Sequence, residues 1–338
     1  MKKFVIFPNL IVKPEQKSNP YIQDFIRSLN EEKDACVVNP SHKNPLLSIL
    51  FPKNWGDIFV FNWFESIPDF KYGILQSIAA LFFLPLLVIC RKKIVWIFHN
   101  KRPHADGREI FKKMLGMLIA RLSTLILTHA TEGVEVIEKK YPYAAHKVHF
   151  VHHPTKNRLP IEYKQKIDYD LLIWGQISKY KGIFDFVRFL QEEQVNEWKV
   201  CIIGGASNQI FQELKEIAPA CVTLVNHSPS FEELGEYIAR SRFVLSPYAP
   251  ESVLSSGMLM DSLSFGAKVI GPNVGSFRDY AHEPHLKVYT FNSFHDIKSI
   301  VAQNKDEEIS LSDYRSFLEQ HNWTHFIHTL MELLTTGK

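Results

Sequence analysis

Short runs of β-branched and aromatic residues alternate with helix-length amphipathic stretches along almost the whole chain, and this alternation constrains the fold more than any other feature. The first strand candidates cover 4–9, 35–40, 57–63, 94–100, 124–130 and 147–154, with helical stretches such as "REIFKKMLGMLIARLS" between them. Near-continuous apolar strands separated by helices predict a parallel sheet buried on both faces, because the crossover helices lie over it. The polar stretch "TKNRLPIEYKQKID" (155–168) has no periodicity and reads as a linker. The alternation restarts at 169–176 and runs through 198–205, 221–227, 242–248 and 267–272. "HLKVYTF" is a last strand candidate, and a helical tail runs from about Leu311 to Leu334. The predicted class is α/β, with two Rossmann-like domains facing each other across a cleft. The expected boundaries are 1–154, a linker at 155–168, 169–312, and a C-terminal helix at 313–338. Ligands of such sheets bind outside the carboxyl ends of the strands, where strand order reverses.

A length of 338 residues, 46% of them hydrophobic and 22% charged, suits two folded domains of ordinary size. The net charge of +3, without a Lys/Arg run interleaved with aromatics, argues against a nucleic-acid partner. Cys36, Cys90, Cys201 and Cys221 lie far apart in apolar runs, the pattern of reduced, buried thiols in a cytoplasmic protein. No Cys, His, Asp or Glu spacing suggests a metal. "GGAS" at 204–207 follows a strand but does not complete a dinucleotide fingerprint. The start "MKKFVIFPNL" has too short an apolar run for a signal peptide and reads as a first strand. "GILQSIAALFFLPLLVIC" (73–90) is at the lower limit for a membrane span. A central strand follows it at once, and a span would divide one sheet, so it reads as a helix buried on all sides.

Two loops sit where such a fold binds ligands. Ser255, Ser256 and Gly257 follow a strand and open a helix, where unpaired N–H groups and the helix dipole favour an anion. A serine there also serves as an ordinary helix cap. In "WGQISKYKGIFDF", Gly175 follows a strand and Lys181-Gly182 precede a helix, so Lys179 and Lys181 are placed to neutralise a diphosphate.

In these loops the chain resembles the GT-B glycosyltransferases, close to the bacterial family 4 enzymes and more specifically those that build exopolysaccharide or capsule repeat units, including xanthan-type β-mannosyltransferases. "GQISKYKG" stands where that family has G-R-x-x-x-x-K-G, and "PYAPESVLSSGMLMDSLSFGAKVIGP" where it has its serine-glycine loop and E-x7-E helix. Asn19-Pro20-Tyr21, His99-Asn100, "FVHHP" (150–154) and "NWTHF" (322–326) match further family motifs, so the likeness covers nearly the whole chain. The resemblance implies a GDP- or UDP-sugar donor held mainly by the C-terminal domain, with no metal and no cofactor. Gly175, Gln176, Lys179, Lys181, Tyr248, Ser255, Ser256 and Gly257 would hold the donor, with Asp261 accepting from the ribose hydroxyls. It also implies that the C-terminal helix bearing Trp323 crosses back to the N-terminal domain.

Two positions depart from the family. Gln176 replaces its arginine, and Val253 stands where retaining members carry a glutamate, with Glu251 out of register. An inverting reaction then needs a base on the N-terminal domain, for which His99, Glu65, His104 and Asp106 are candidates. His99 also matches the family position that orients the donor hexose. The expected acceptor is a lipid-linked oligosaccharide. The basic amphipathic helix 107–123 and the cations Arg91-Lys92-Lys93 and Lys101-Arg102 suit peripheral contact with the anionic inner face of the cytoplasmic membrane. Two other functions fit the same fold: a nucleotide-sugar 2-epimerase, and a GT-B scaffold subunit without chemistry.

Overall fold

The structure, a computed structural model, describes residues 1–11, 20–101, 108–160 and 166–336. The chain divides into two compact units, Met1–His153 with Trp323–Lys338, and Pro154–Asn322.

The first unit runs β1 (Lys2–Phe7), α1 (Tyr21–Glu31), β2 (Ala35–Val37), α2 (Pro45–Leu50), β3 (Ile58–Asn62), α3 (Gly73–Ile89), β4 (Lys93–Phe98), α4 (Glu109–Leu122), β5 (Leu125–Thr128), α5 (Thr131–Lys140) and β6 (Val148–Phe150). The second runs β7 (Tyr169–Trp174), α6 (Ile183–Glu192), β8 (Val200–Ile203), α7 (Asn208–Ile217), β9 (Val222–Val225), α8 (Phe231–Ala239), β10 (Ser241–Leu245), α9 (Gly257–Ser264), β11 (Val269–Pro272), α10 (Gly275–Ala281), β12 (Val288–Phe291), α11 (Asp296–Asn304) and α12 (Leu311–Gln320). The last helix, α13 (Trp323–Thr336), belongs to the first unit. Each predicted strand has a counterpart, and every pairing is parallel, in the orders β2-β1-β3-β4-β5-β6 and β12-β11-β10-β7-β8-β9.

The strands are buried on both faces, as their unbroken apolar sequences require. In the second unit, Leu172, Val244 and Val269 face one core with α8, α9, α10 and α12, while their neighbours Leu171, Phe243 and Ile270 face another with α6, α7 and α11. This is the period-2 alternation of strands covered from both sides. In the first unit, Phe4, Ile6, Val60, Val95 and Ile97 pack on α1 and α13. On the opposite face, Phe59 meets Phe83 of α3 at a centroid distance of 5.9 Å.

Three expectations change. The segment read as buried on all sides is α3, and it packs through one face only. Ala80, Phe83, Leu84 and Leu87 are buried, while Leu75, Ile78, Phe82, Leu86 and Ile89 form an exposed stripe. A helix apolar all round carries no sign of which side faces the core. The tail read as one helix is two. His321 and Asn322 interrupt it, and the Asn322 amide donates to the Glu319 carbonyl at 2.8 Å, closing the last turn of α12. All four thiols are unpaired, but only Cys201 is buried and Cys90 is exposed. Among the described residues, no helix is long and apolar enough to cross a membrane.

Candidate active site

Strand order in the second unit reverses between β7 and β10, and the loops leaving those strands are the two singled out in the sequence. Gly175 has φ +97°, and a Cβ there would stand 3.1 Å from Lys181 Nζ. Gly182 has φ +71°, and a Cβ there would collide with the Pro247 carbonyl, so glycine lets the loops pass against each other. Lys181 Nζ lies 6.0 Å from the Tyr248 ring centroid. Gly175, Lys181 and Tyr248 are thus brought together. Burial pushes the Lys181 ammonium down to about 8, within reach of ordinary assay conditions. Lys179 is not part of this group: it pairs with Glu213 at 2.7 Å on the exposed surface. Gln176 is exposed.

The serine loop divides its work. Ser256 is the N-cap of α9, its hydroxyl accepting from Leu259 N at 3.2 Å, and its own N–H donates to Ser276 Oγ at 3.2 Å. Gly257 opens α9, and the first-turn N–H groups of a helix are the donors that suit an anion. Val253 is buried in the apolar core, and Glu251 is exposed. Asp261 is held by Arg158, whose Nη1 donates to Oδ1 at 3.3 Å and to Ser264 Oγ at 3.0 Å. The guanidinium packs 4.0 Å from the Phe231 ring centroid, fixing the carboxylate from behind.

In the first unit, strand order reverses between β1 and β3. Asn62, at the end of β3, donates its amide to the Phe7 carbonyl at 3.2 Å, so its Oδ1 accepts from His99 Nε2 at 2.9 Å. Trp63 follows with φ 49° and stacks on His99 at 4.5 Å. Burial pushes this imidazole down to about 3, so it stays neutral at physiological pH. His129 donates Nδ1–H to the Val151 carbonyl at 2.8 Å, and its Nε2 accepts from the Tyr21 hydroxyl at 2.8 Å. Glu65 lies in a 3₁₀ turn, Phe64–Asp69, where its Oε2 accepts from Trp96 Nε1 at 3.3 Å. Burial raises its carboxyl to about 7. His104 and Asp106 lie outside the described residues. Among the described residues, no group of three or more His, Cys, Asp or Glu is placed to hold a metal.

No protein-family model matches the chain, and no curated protein sequence does. Solved structures do match. HepE from Anabaena in complex with UDP superposes with a TM-score of 0.69 at 11% identity, over 99% of this chain and 100% of HepE. The fold is that of the GT-B glycosyltransferases. A glycosyltransferase from Rickettsia africae matches at a TM-score of 0.62 and 11% identity, over 99% of this chain and 98% of its own. The lipopolysaccharide outer core galactosyltransferase WaaB matches at 0.64 and 13%, over the whole of both chains. At such identities the likeness is one of fold.

In each unit, residues without a motif in the sequence support these side chains: Arg158, a lone arginine in a polar stretch, and Ser276, a loop serine, in the second, and Asn62, a strand end, in the first.

Proposed function

We propose that the chain is a glycosyltransferase that moves a hexose from a UDP- or GDP-sugar to a lipid-linked oligosaccharide in exopolysaccharide or capsule synthesis. The observation that carries this reading is the meeting of Gly175, Lys181 and Tyr248, from the loops that leave β7 and β10, at the switch point of a GT-B fold. The ammonium and the unpaired helix N–H groups supply the positive potential a departing diphosphate needs, with no metal required. HepE, of the same fold, has been solved with UDP and with UDP-glucose, which makes UDP the first nucleotide to test. The burial of Val253 leaves no carboxylate at that position, which supports inversion, with Glu65 as the proton acceptor.

A thermal-shift panel of UDP, GDP and their sugars tests the donor claim, since a ligand of the native state raises stability by mass action. The donor should raise the transition. Lys181→Ala is expected to weaken its binding about 10–100-fold, the loss of one hydrogen bond to a charged group, while Lys179→Ala leaves binding unchanged. Affinity should also fall as pH rises through about 8, where the Lys181 ammonium loses its charge. If no nucleotide shifts the transition, the reading fails.

The exposed stripe on α3 supports an acceptor presented by a membrane. Phe82 and Ile89 are each 76% exposed and Ile110 on α4 is 74% exposed. Lys71 and Arg91 lie exposed beside the two ends of α3, with Lys113 and Arg121 exposed on α4. Apolar side chains between cations are what an anionic bilayer surface binds. The protein is expected to float with anionic liposomes at low salt. The double variant Phe82→Glu, Ile89→Glu should bind at least ~100-fold more weakly, because each buried side chain contributes about 1.5–3 kcal/mol. Equal flotation of both proteins, or none, would remove the membrane from the proposal.

A further inference from the structure

We propose that a pocket within the first unit binds a phosphorylated sugar, with a sugar hydroxyl between Glu65 and Asn100 and the phosphate at Lys113 and Lys140. The pocket has a volume of about 490 Å³ and is walled by Trp96, Phe98 and Tyr141. Glu65 Oε1 and Asn100 Nδ2, on two of its lining residues, are buried and have no hydrogen-bond partner among the described residues. A buried donor or acceptor left unpaired loses its water without a replacement, so each of these atoms favours a ligand that bonds to it. One atom accepts and the other donates, and a hydroxyl is the small group that answers both. The aromatic walls suit the apolar face of a hexose, as in other sites that place few polar groups in an apolar lining.

The lysines on the lining are of two kinds. Lys101 pairs with Glu132, and Lys112 with Asp69 at 3.1 Å and Glu109 at 3.7 Å, so both are neutralised locally. Lys113 and Lys140 form no ion pair within 4 Å among the described residues; Lys140 Nζ lies 5.3 Å from the Tyr141 ring centroid, and its charge acts on the Glu65 carboxyl. Two ammonium groups outside any close ion pair, beside a carboxyl that is largely protonated below about 7, select an anionic sugar over a neutral one. The carboxyl of Glu65, raised by burial, titrates near neutrality and adds little repulsion below that point. This inference rests on the transferase reading and gives its acceptor a chemical class.

Calorimetry with glucose 1-phosphate, glucose and inorganic phosphate tests it. Glucose 1-phosphate should bind more tightly than either fragment. Binding should fall at least tenfold in Lys113→Ala, Lys140→Ala and in Asn100→Leu, with unchanged circular dichroism, and should persist in Lys181→Ala. A polyprenyl-diphosphate-linked glucose in neutral vesicles separates the sources of the phosphate. Tighter binding than the soluble probe supports the lipid-linked form, and equal binding supports recognition of the sugar phosphate itself. Absence of binding, insensitivity to the lysine and Asn100 substitutions, or displacement by UDP would overturn the proposal. The UDP thermal shift on the same preparations keeps the two readings apart: UDP binding without sugar-phosphate binding removes this pocket and leaves the transferase.

Discussion

Glu65→Gln is expected to lower turnover by 10²–10⁴ while leaving donor affinity unchanged, because loss of a general base removes transition-state help and not ground-state binding. The side chain is close to isosteric, and its contact with the Trp96 indole is retained by the amide oxygen. The pH behaviour separates a catalytic role from a structural one. With the carboxyl at about 7, wild-type turnover should rise as pH rises through 7, where the base becomes ionised. The residual activity of Glu65→Gln should lack that limb. Stability moves the other way. The folded carboxyl holds its proton up to about 7, whereas an unfolded one releases it near 4.5. The native state therefore binds more protons between those values, and stability falls as pH rises across them. The amide has no such cost, so at pH 8 the variant should be at least as stable as the parent. An inactive variant that is also less stable at pH 8 would point to a packing role and sink the assignment. Among the base candidates within the described residues, His99 is the weaker, since an imidazole held at about 3 accepts a proton poorly near neutrality.

Trp323→Ala should destabilise the first unit by about 3–5 kcal/mol, the usual cost of emptying a large aromatic site in a core. Trp323 is buried at the start of α13, stacks on Phe25 at 6.0 Å, and meets Tyr21 edge-on at 5.1 Å. It joins the helix that returns from the far end of the sequence to α1 and to the Tyr21–His129 pair. Two compact units need not unfold in one step. Urea unfolding of the variant should therefore move the transition of the first unit to lower denaturant and leave that of the second in place. Trp323→Phe, which keeps most of the stacking area, should recover more than half of the loss. A shift below 1 kcal/mol would mean that α13 is held by Ile327, Leu330 and Leu334 without the indole.

The strands were legible because the forces that form them are local and repetitive. Ile58 to Asn62 are all buried, and the unbroken apolar run "IFVF" within "DIFVFNW" needs a sheet covered on both faces. The loop residues Gly175, Lys181 and Gly182 were legible for a related reason: a strand, a glycine turn and a helix start leave few places for a charged side chain to go. The partnerships were not legible. Arg158 meets Asp261 across 103 positions, and Asn62 meets His99 across 37. No pattern within one element encodes such pairs. Ser256 looked the same in sequence whether it capped α9 or bound an anion, and its bonds to Leu259 N and Ser276 assign it to the cap.

By itself the sequence determined two parallel α/β sheets and the loops at their carboxyl ends, since hydrophobic period and glycine placement act over a few residues at a time. The tertiary structure decided the exposed side of α3, the split of the tail at Asn322 and the state of the ionisable groups. Those depend on what is packed around a side chain. Burial holds Lys181 near 8 and, against the opposing pull of a backbone hydrogen bond, the Trp96 indole and Lys140, lifts Glu65 to about 7, and burial is a property of the folded whole.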